Sequence, residues 1–288
     1  MVAYLRTLAR YAHCFSWAQL FLFKLSDILV HWAAHPSMRR VRALRVFAYA
    51  VPLDTVVVRD GEYRFPYVLN DTRIDLALRA HSSDVEVFLQ VIRYAEYADV
   101  TRMLRAGAPP PRIIDAGANI GLTTLYFKCF HPDARVAALE PEPENFKRLS
   151  QTVLRNGLKD VTLLKEGLWT HDSHLAPDRT FRDGQAWSFA LAPSSTSAED
   201  GVPVVSLASL LSRLGWRRVD LLKIDIEGAE AHLIRDPSFL SVVRECVGLV
   251  CMEVHEEAIG RDEVHAALAS IGMSSVGGKE SVIAWRAS

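Results

Sequence analysis

Residues 112–121, with the sequence RIIDAGANIG, decide the fold of this chain. A short apolar run ends in Asp115, a small glycine-rich bend follows, and an amphipathic stretch begins at Leu122. This order predicts a buried parallel strand that turns tightly into a helix, with the turn exposed to a ligand. Gly117 and Gly121 let the backbone approach that ligand closely. Because the amides at a helix start attract a carboxylate or a phosphate, we expect a nucleotide-like molecule at this bend.

Length and composition indicate an ordinary globular protein. The 288 residues are 50% hydrophobic and 23% charged, which is enough for one large domain or a domain with an appendage. A formal net charge of -1 gives no electrostatic basis for binding nucleic acid or an anionic membrane. The four cysteines are scattered without CxxC spacing, which favours buried free thiols in a reducing compartment. We therefore expect a cytoplasmic protein that does not bind nucleic acid.

The first fifty residues have a helical pattern and are unusually aromatic. The apolar run 11–34 lacks the small-residue cleavage pattern of a signal peptide. Polar side chains interrupt this run and leave no span of about twenty apolar residues: His13, Lys24, Asp27 and His31. We expect residues 1–50 to pack on the main domain or on a second subunit. Peripheral contact with the inner face of the membrane is the alternative, because four arginines follow closely between residues 39 and 45.

The region before the glycine bend reads as a separate module. Residues 55–65 are predicted to form a hairpin, because an Asp-Gly pair is a strong two-residue turn between β-prone runs. A helical segment over about residues 83–104 follows. Three prolines at 109–111 end it and mark a boundary. We therefore predict an N-terminal helical and hairpin module over residues 1–108 and a second domain over residues 109–288.

From residue 112 onwards, strand and helix patterns alternate. Such alternation predicts an α/β fold with a doubly wound, mostly parallel sheet. The region 170–201 instead carries charge, proline and serine and is interpreted as a loop or an inserted hairpin. The predicted strands are 112–116, 135–140, 161–165, 220–225, 247–253, 273–276 and 281–286, and the predicted helices are 121–130, 142–156, 207–214, 262–271 and one that begins at residue 230.

An acidic residue at the front of the bend separates two cofactor classes. Dinucleotide folds cradle pyrophosphate with Gly-x-Gly-x-x-Gly, whereas here the first glycine position is Asp115. A carboxylate would repel pyrophosphate but suits S-adenosylmethionine, which carries an ammonium and a sulfonium and no phosphate. Glu140 ends the next strand, 25 residues after Asp115, where an acid accepts hydrogen bonds from the ribose hydroxyls. We therefore predict S-adenosylmethionine, held by Asp115, Gly117, Ala118, Asn119, Gly121 and Glu140. A tight turn without a ligand is the alternative.

The third strand leads into Glu166-Gly167-Leu168-Trp169, which borders the adenine in folds of this kind. Gly167 and Leu168 are predicted to face one side of the adenine ring. Glu166 is predicted to accept a hydrogen bond from the exocyclic amine, and Trp169 is interpreted as a packing residue. Glu166, Gly167 and Leu168 thus complete the predicted cofactor site.

With these motifs and the run KIDIEGAE at residues 223–230, the chain resembles the FkbM family of methyltransferases over about residues 83–288. The resemblance implies a Rossmann-like, doubly wound, seven-stranded methyltransferase sheet with a helical N-terminal extension. It also implies a cytoplasmic, S-adenosylmethionine-dependent O-methyltransferase. The implied acceptor is a hydroxyl of a sugar in a polysaccharide or glycolipid, or of a secondary metabolite. Residues 1–55 lie outside the resemblance.

Methyl transfer to oxygen is an in-line displacement that needs alignment of the reactants and removal of a proton as the oxygen attacks. Ligands bind beyond the carboxyl ends of parallel strands, where Asp225 and Glu227 leave one strand and Glu253 and His255 leave the next. His255 is the predicted general base, because imidazole titrates near neutral pH. Glu253 or Glu256 would orient its ring. Asp225 is assigned to the methionine amine or the acceptor, and Glu227 to an acceptor hydroxyl.

Several alternatives remain open at this edge of the sheet. His255 could be an ordinary strand-end histidine, and Glu227 and Glu230 could simply favour the positive start of the next helix. Asp225, Glu227, Glu253 and His255 also form an oxygen-rich set that suits Mg²⁺. Any acidic pocket offers the same set, so a divalent metal is not favoured. A nicotinamide-dependent oxidoreductase and a non-catalytic, membrane-docked member of a biosynthetic complex are the alternatives for the whole protein.

Overall fold

The chain forms two compact units, residues 1–96 and residues 97–288. The predicted domain boundary at residue 108 adjoins residues 105–108, which lie outside the described residues, and it stays a prediction. Most of the aromatic N-terminal segment also lies outside them. The computed structural model describes residues 14–16, 18–19, 39–104, 109–178, 190–192, 201–278 and 280–286.

The described part of the first unit contains a three-stranded antiparallel sheet. The hairpin turn lies at Asp60 and Gly61, both with positive φ, in agreement with the prediction. A further turn at Asn70 and Asp71 starts a third strand that the sequence-based prediction lacks. The elements are α1 (Arg39–Ala50), a short 3₁₀ helix (Leu53–Thr55), β1 (Val57–Arg59), β2 (Glu62–Leu69) and β3 (Thr72–Arg79).

The prediction of one continuous helix over residues 83–104 is wrong. A single turn, α2 (Asp84–Val87), passes directly into a π-helix (Phe88–Arg93). Ala95 then adopts a left-handed backbone with φ 51, which a right-handed helix cannot contain. The next helix, α3 (Ala98–Met103), belongs to the second unit. The apolar spacing therefore identified helical segments but not the break between them.

The second unit alternates strands and helices in the order that the sequence predicts. Boundaries shift by one or two residues, as is usual at helix and strand ends. The predicted helix at residue 230 continues into a second helix that begins at Pro237. The elements are β4 (Arg112–Ala116), α4 (Leu122–Phe130), β5 (Arg135–Leu139), α5 (Pro143–Arg155), β6 (Val161–Leu164), β7 (Gly167–Trp169), β8 (Ser173–Asp178), β9 (Ala190–Ala192), β10 (Val202–Ser206), α6 (Leu207–Leu214), β11 (Val219–Ile224), α7 (Glu230–Arg235), α8 (Pro237–Cys246), β12 (Val247–Glu253), α9 (Arg261–Ser270), β13 (Met273–Gly277) and β14 (Ser281–Arg286).

The main sheet has seven strands in the order β13-β14-β12-β11-β4-β5-β6. Strand β14 is antiparallel to both of its neighbours, and β12, β11, β4, β5 and β6 pair in parallel. Strand β4 pairs with β11 on one side and β5 on the other, so the chain order reverses there. This doubly wound architecture confirms the predicted fold class and places the glycine bend at the switch point of the sheet.

A separate four-stranded sheet has the order β7-β10-β8-β9. Strand β7 pairs in parallel with β10, so the chain leaves the main sheet between β6 and β7. The predicted loop or hairpin at 170–201 contains β8 and β9, which pair antiparallel. The residues around β9, at 179–189 and 193–200, lie outside the described part.

Apolar packing against the sheet fixes where its strands end. Ile114 in β4 and Ile224 in β11 are fully buried in a core that also contains Leu210 of α6 and Leu233 of α7. Full burial of such a side chain contributes about 1.5–3 kcal/mol. This core keeps the carboxyl ends of β4 and β11 side by side, which positions the polar residues that follow them.

Within the parts of the chain that the structure describes, we find no helix with the length and hydrophobicity needed to cross a membrane.

Candidate active site

Gly117 brings the glycine bend into contact with the end of β11. Its φ is 80, and a Cβ atom at this position would lie 1.7 Å from the backbone oxygen of Asp225. Its N–H donates to the carbonyl of Leu139, the last residue of β5, at 3.1 Å. A side chain at residue 117 would therefore push apart the loops that follow the two central strands.

Glu140 is held from two sides by backbone amides. The N–H of Asn119, a residue with φ 50, donates to Oε2 at 2.8 Å, and the N–H of Glu142 donates to Oε1 at 2.9 Å. The Glu140 side chain is buried, and burial raises its pKa to about 7, although the two amide donors favour the ionised form. The structure thus keeps a carboxylate of intermediate acidity at the end of β5, where the sequence predicts the ribose contact.

Asp115 lies inside the bend rather than on its surface. Its side chain is 0% exposed, Oδ2 accepts from the hydroxyl of Thr124 at 2.6 Å, and Oδ1 lies 3.2 Å from Nζ of Lys223. Lys223 also donates to the carbonyl of Gly117 at 2.8 Å and lies 3.5 Å from Asp225. Burial lowers the pKa of Lys223, but the charges of Asp115 and Asp225 more than offset this and hold it above its ordinary value. Lys223 is therefore a charged support beneath the bend.

Asp225 carries the accessible carboxylate at this bend. Its side chain is 27% exposed, compared with 1% for Lys223 and 0% for Asp115. Its N–H donates to the carbonyl of Ala116 at 3.1 Å, which continues the pairing of β11 with β4 for one more residue. A ligand at the bend therefore reaches Asp225 before Asp115.

A tight turn after Asp225 is held by Glu230. Glu227 and Gly228 are both left-handed, with φ 54 and φ 91. The side chain of Glu230 is fully buried, and its two oxygens accept from the N–H groups of Ile226 and Gly228, each at 2.7 Å. Glu230 thus does more than favour the start of α7.

His255 is buried among carboxylates, with 3% of its surface exposed. Its Nδ1 lies 3.2 Å from Oε1 of Glu230, and its Nε2 lies 3.4 Å from Glu227 and 3.7 Å from Glu253. Burial lowers the pKa of His255, but the nearby carboxylates of Glu230, Asp225 and Glu227 more than offset this and raise it to about 9. The structure therefore brings the predicted catalytic residues together and keeps the imidazole charged at neutral pH.

Two of the predicted side chains are paired with arginines. Glu166 accepts from Arg213, with Nη1 at 3.1 Å from Oε2. Glu256, one of the two acids considered as partners of His255, lies 2.9 Å from Nε of Arg261. Both acids therefore have an ion-pair partner in the structure.

The other residues of the predicted adenine motif are buried. Gly167 lies in β7, and Leu168 packs in the main core. Trp169 is a packing residue, as expected, with its ring 4.7 Å from that of His232.

Asp225, Glu253 and His255 offer ligand atoms that all lie within 4.8 Å of one another. A divalent cation could bridge such a set. Acidic pockets commonly have this composition without a metal, so the set alone identifies no metal site.

Two contacts in this region were not predicted from the sequence. Thr124 lies in α4, and its hydroxyl donates to Asp115 at the end of β4. Nothing in the sequence around this threonine indicates that contact. Glu230 is the second residue after Gly228, a position from which a side chain can reach back to the preceding turn. That spacing is the signal that could have identified it.

Comparison with known proteins identifies the family. Residues 115–272 match the sequence profile described as "Methyltransferase FkbM domain". The chain belongs to the FkbM methyltransferase family. It is therefore an S-adenosylmethionine-dependent methyltransferase, as the resemblance of its motifs implied.

Curated relatives of this FkbM-family chain come from fungi and bacteria. It is 29% identical to Methyltransferase sdnD of Sordaria araneosa over 193 residues, which cover 56% of this chain and 73% of the relative. It is 25% identical to 31-O-demethyl-FK506 methyltransferase FkbM of Streptomyces tacrolimicus over 203 residues, covering 61% of this chain and 77% of the relative. Both relatives are named as methyltransferases.

Solved structures of methyltransferases are also similar to the chain. A SAM-dependent methyltransferase from Agrobacterium tumefaciens covers 80% of this chain and 71% of its own length, with a TM-score of 0.47 and 10% identity. The N-terminal domain of human METTL16 in complex with SAH covers 69% of this chain and 70% of its own length, with a TM-score of 0.42 and 12% identity.

Proposed function

We propose that this chain is an O-methyltransferase that moves the methyl group of S-adenosylmethionine to a hydroxyl of a sugar in a polysaccharide or glycolipid, or of a secondary metabolite. The observation that carries the proposal is the position of His255 beside Glu227 and Glu253, at the sheet edge that also holds the glycine bend. Carboxylates can accept hydrogen bonds from an acceptor with several hydroxyls, and imidazole can accept the proton that leaves.

One relative supports the choice of oxygen as the methyl acceptor. The Streptomyces tacrolimicus protein is named for methylation at an oxygen, in 31-O-demethyl-FK506. The acceptor of this chain is proposed only at the level of a hydroxyl compound, because the shared sequence concerns the catalytic fold and specificity depends on variable loops.

The residues of the bend fit S-adenosylmethionine. Glu140 would accept hydrogen bonds from the two ribose hydroxyls, since its carboxylate is already orientated by two amides. Asp225 would receive the methionine ammonium as the accessible carboxylate of the bend, with Asp115 and Lys223 as its support. Gly117, Ala118, Asn119 and Gly121 would line the methionine end, and Glu166 would border the adenine. Because Gly167 is buried in β7 and Leu168 packs in the core, neither is assigned a contact with the ring.

When bound, the cofactor supplies an electrophilic methyl group on a positively charged sulfur. This methyl group would pass to the acceptor oxygen, with S-adenosylhomocysteine as the leaving group, and Nε2 of His255 would accept the hydroxyl proton. Glu227 and Glu253 would hold the acceptor hydroxyl and stabilise the imidazolium that forms. Because the pKa of His255 is raised to about 9, the base form becomes more abundant as the pH rises. We therefore expect the methyl-transfer rate to rise with pH through the neutral range.

Isotope transfer from labelled cofactor tests the proposal. The full-length protein is incubated with ¹³C-methyl S-adenosylmethionine and a panel of methyl glycosides and polyhydroxylated metabolites, and products are identified by NMR. We expect a new O-methyl carbon signal. The variant His255→Ala should lower kcat by about 100-fold or more while binding S-adenosylhomocysteine like the unmodified protein.

Three results would contradict the proposal. Methylation of nitrogen or carbon in a panel that also contains amines would exclude oxygen as the acceptor atom. Undiminished O-methylation by the His255→Ala variant would remove His255 as the base. Calorimetric binding of NADH without binding of S-adenosylhomocysteine would favour an oxidoreductase.

A further inference from the structure

We propose that Glu230 is a positioning residue that fixes both the ring of His255 and the turn at residues 226–228, and so sets the geometry of proton removal. This inference rests on the proposed function, because it assigns Glu230 a role through the proposed base. Sequence alone offered only a favourable charge at the start of α7.

The contacts of Glu230 leave its carboxylate little freedom. The side chain is fully buried, and the N–H groups of Ile226 and Gly228 each donate to a different oxygen at 2.7 Å. Oxygen Oε1, which accepts from Ile226, also lies 3.2 Å from Nδ1 of His255. A carboxylate held by backbone N–H donors on both oxygens acts as an acceptor. One fully buried group therefore joins the turn to the imidazole.

The turn needs such a support. Glu227 is a residue with a Cβ atom in the left-handed region, at φ 54, and Gly228 follows at φ 91. A non-glycine residue in this conformation costs about 1–3 kcal/mol and persists only where its surroundings hold it. The two amides that Glu230 binds flank Glu227 in the chain. Glu230 thus holds the strained residue whose own carboxylate lies 3.4 Å from His255.

Contacts with Glu230 also determine which ring nitrogen carries the proton. Nδ1 of His255 faces Glu230 of α7, whereas Nε2 faces Glu227 of the preceding turn and Glu253 at the end of β12. All three carboxylates only accept, but Glu230 lies nearest, at 3.2 Å from Nδ1 compared with 3.4 and 3.7 Å for the carboxylates facing Nε2, so Nδ1 is expected to keep its proton when the ring becomes neutral. The lone pair is then on Nε2, which faces the two carboxylates that we assign to the acceptor.

The charges near the ring also support the role of Glu230 as a residue that positions His255. The groups that raise the pKa of His255 are the carboxylates of Glu230, Asp225 and Glu227, of which Glu230 contributes most. Removal of the Glu230 charge should therefore lower the pH at which His255 titrates. A residue that merely filled space in the core would not change this titration.

NMR of the ring nitrogens tests the proposal without any acceptor. Long-range ¹H–¹⁵N spectra of the full-length protein, with His255 assigned by comparison with His255→Gln, report the charge and tautomer of the ring. At about pH 10, above the raised pKa, we expect the proton on Nδ1. In Glu230→Gln we expect the titration midpoint to fall by about one pH unit or more.

A matched control is Glu245→Gln, which removes an acid whose side chain is 65% exposed in α8. This variant should leave the His255 titration unchanged. Glu230→Asp keeps the charge on a shorter side chain, so we expect a smaller change in midpoint than for Glu230→Gln. These variants distinguish the effect of the Glu230 charge on the His255 titration from the effect of the length of its side chain.

Kinetics then connect the geometry to catalysis. With a hydroxyl compound that accepts methyl in the assay above, Glu230→Gln should lower kcat by about tenfold or more at about pH 10, where His255 is mainly neutral in both proteins. Its affinity for S-adenosylhomocysteine should stay within about threefold of that of the unmodified protein, because the contacts of Glu230 described above are with Ile226, Gly228 and His255 and not with the residues assigned to the cofactor. The acid limb of the pH–rate profile should move to lower pH.

The tautomer measurement keeps the proposal testable if Glu230→Gln does not fold. A proton on Nε2 at high pH in the unmodified protein would overturn it. An unchanged His255 titration in folded Glu230→Gln would overturn it as well. Failure of the proposed function is a different result: no hydroxyl compound accepts methyl, while the tautomer and the titration still follow Glu230.

Discussion

Glu140 allows a quantitative test of the cofactor site, because the same carboxylate that we assign to the ribose destabilises the cofactor-free protein. Burial raises its pKa from an ordinary value of 4.5 to about 7. The folded protein therefore binds a proton at this group more tightly than the unfolded chain does. For an acid whose folded-state pKa is raised, stability is lost as the pH rises from the unfolded value to the folded value.

The magnitude follows from the two pKa values. A difference between 4.5 and about 7 corresponds to about 3 kcal/mol of free energy of unfolding. In Glu140→Gln this contribution is absent, because the amide does not titrate. The stability of the variant minus that of the unmodified protein should therefore become more positive by about 3 kcal/mol between about pH 4.5 and pH 8. Any constant cost of placing an amide between two N–H donors cancels in this difference.

Urea unfolding of the cofactor-free protein, followed by tryptophan fluorescence across this pH range, measures the effect. Glu144→Gln is the matched control, since Glu144 is an exposed acid in the first turn of α5, the helix that follows Glu140. It should follow the unmodified protein at every pH. Parallel pH profiles for Glu140→Gln and the unmodified protein would refute the electrostatic reasoning.

Cofactor binding supplies the second part of this test. A hydrogen bond to a charged group contributes about 1.5–3 kcal/mol. We therefore expect Glu140→Gln to bind S-adenosylhomocysteine about 10- to 100-fold more weakly at pH 8 by calorimetry. Unchanged affinity would show that Glu140 does not bind the ribose, whatever its effect on stability.

Three further predictions concern the bend and the metal. Gly117→Ala should cost about 3 kcal/mol of stability by urea unfolding, because its Cβ would meet a backbone oxygen at 1.7 Å. Gly157→Ala shares a positive φ but has no atom within 4 Å of its Cβ, so it should cost less. Lys223→Met should cost about 3–5 kcal/mol, because it leaves Asp115 buried without its cation. Methyl transfer should survive EDTA, since we propose no metal ion in the reaction.

Each of these predictions has a result that contradicts it. Equal destabilisation by the two glycine substitutions would show that backbone strain, rather than the contact with Asp225, limits residue 117. A Lys223→Met variant as stable as the unmodified protein would mean that Asp115 takes up a proton at low cost. Activity lost in EDTA and restored by Mg²⁺ or Mn²⁺ would establish a metal requirement.

The sequence predicts the α/β unit well because its signals are local. Apolar runs such as 247–253 have the length of a buried strand, and glycine or proline residues between the runs indicate where elements end. The third strand of the first unit was missed because the Asn-Asp turn before it carries no glycine, although its alternating apolar residues are typical of a half-buried strand. The break at Ala95 was missed because nothing in the side chain of alanine favours a left-handed backbone.

The sequence predicted which residues gather at the site, but it did not predict which side chains each of them contacts. Placement at strand ends brought Asp225, Glu253 and His255 together, as topology requires for neighbouring parallel strands. The burial of Asp115 under Lys223 depends on the register between β4 and β11, in which residues 115 and 223 are directly opposite. That register depends on residues far apart in the chain. The sequence pattern around an acid at a strand end therefore does not show whether its side chain faces the ligand or the core.

These contacts divide the acids of the edge into two groups with different counter-charges. Lys223 neutralises Asp115 and Asp225 on the side of the glycine bend, and His255 neutralises Glu227 and Glu230 on the other. Asp225 belongs to both groups, because its charge also raises the pKa of His255. A positive charge that reaches Asp225, such as the ammonium of the cofactor, would weaken its effect on the imidazole and favour the neutral base. On the proposed assignment, cofactor binding and proton acceptance would be coupled through Asp225, and the neutral base would become more available once the methyl donor is bound.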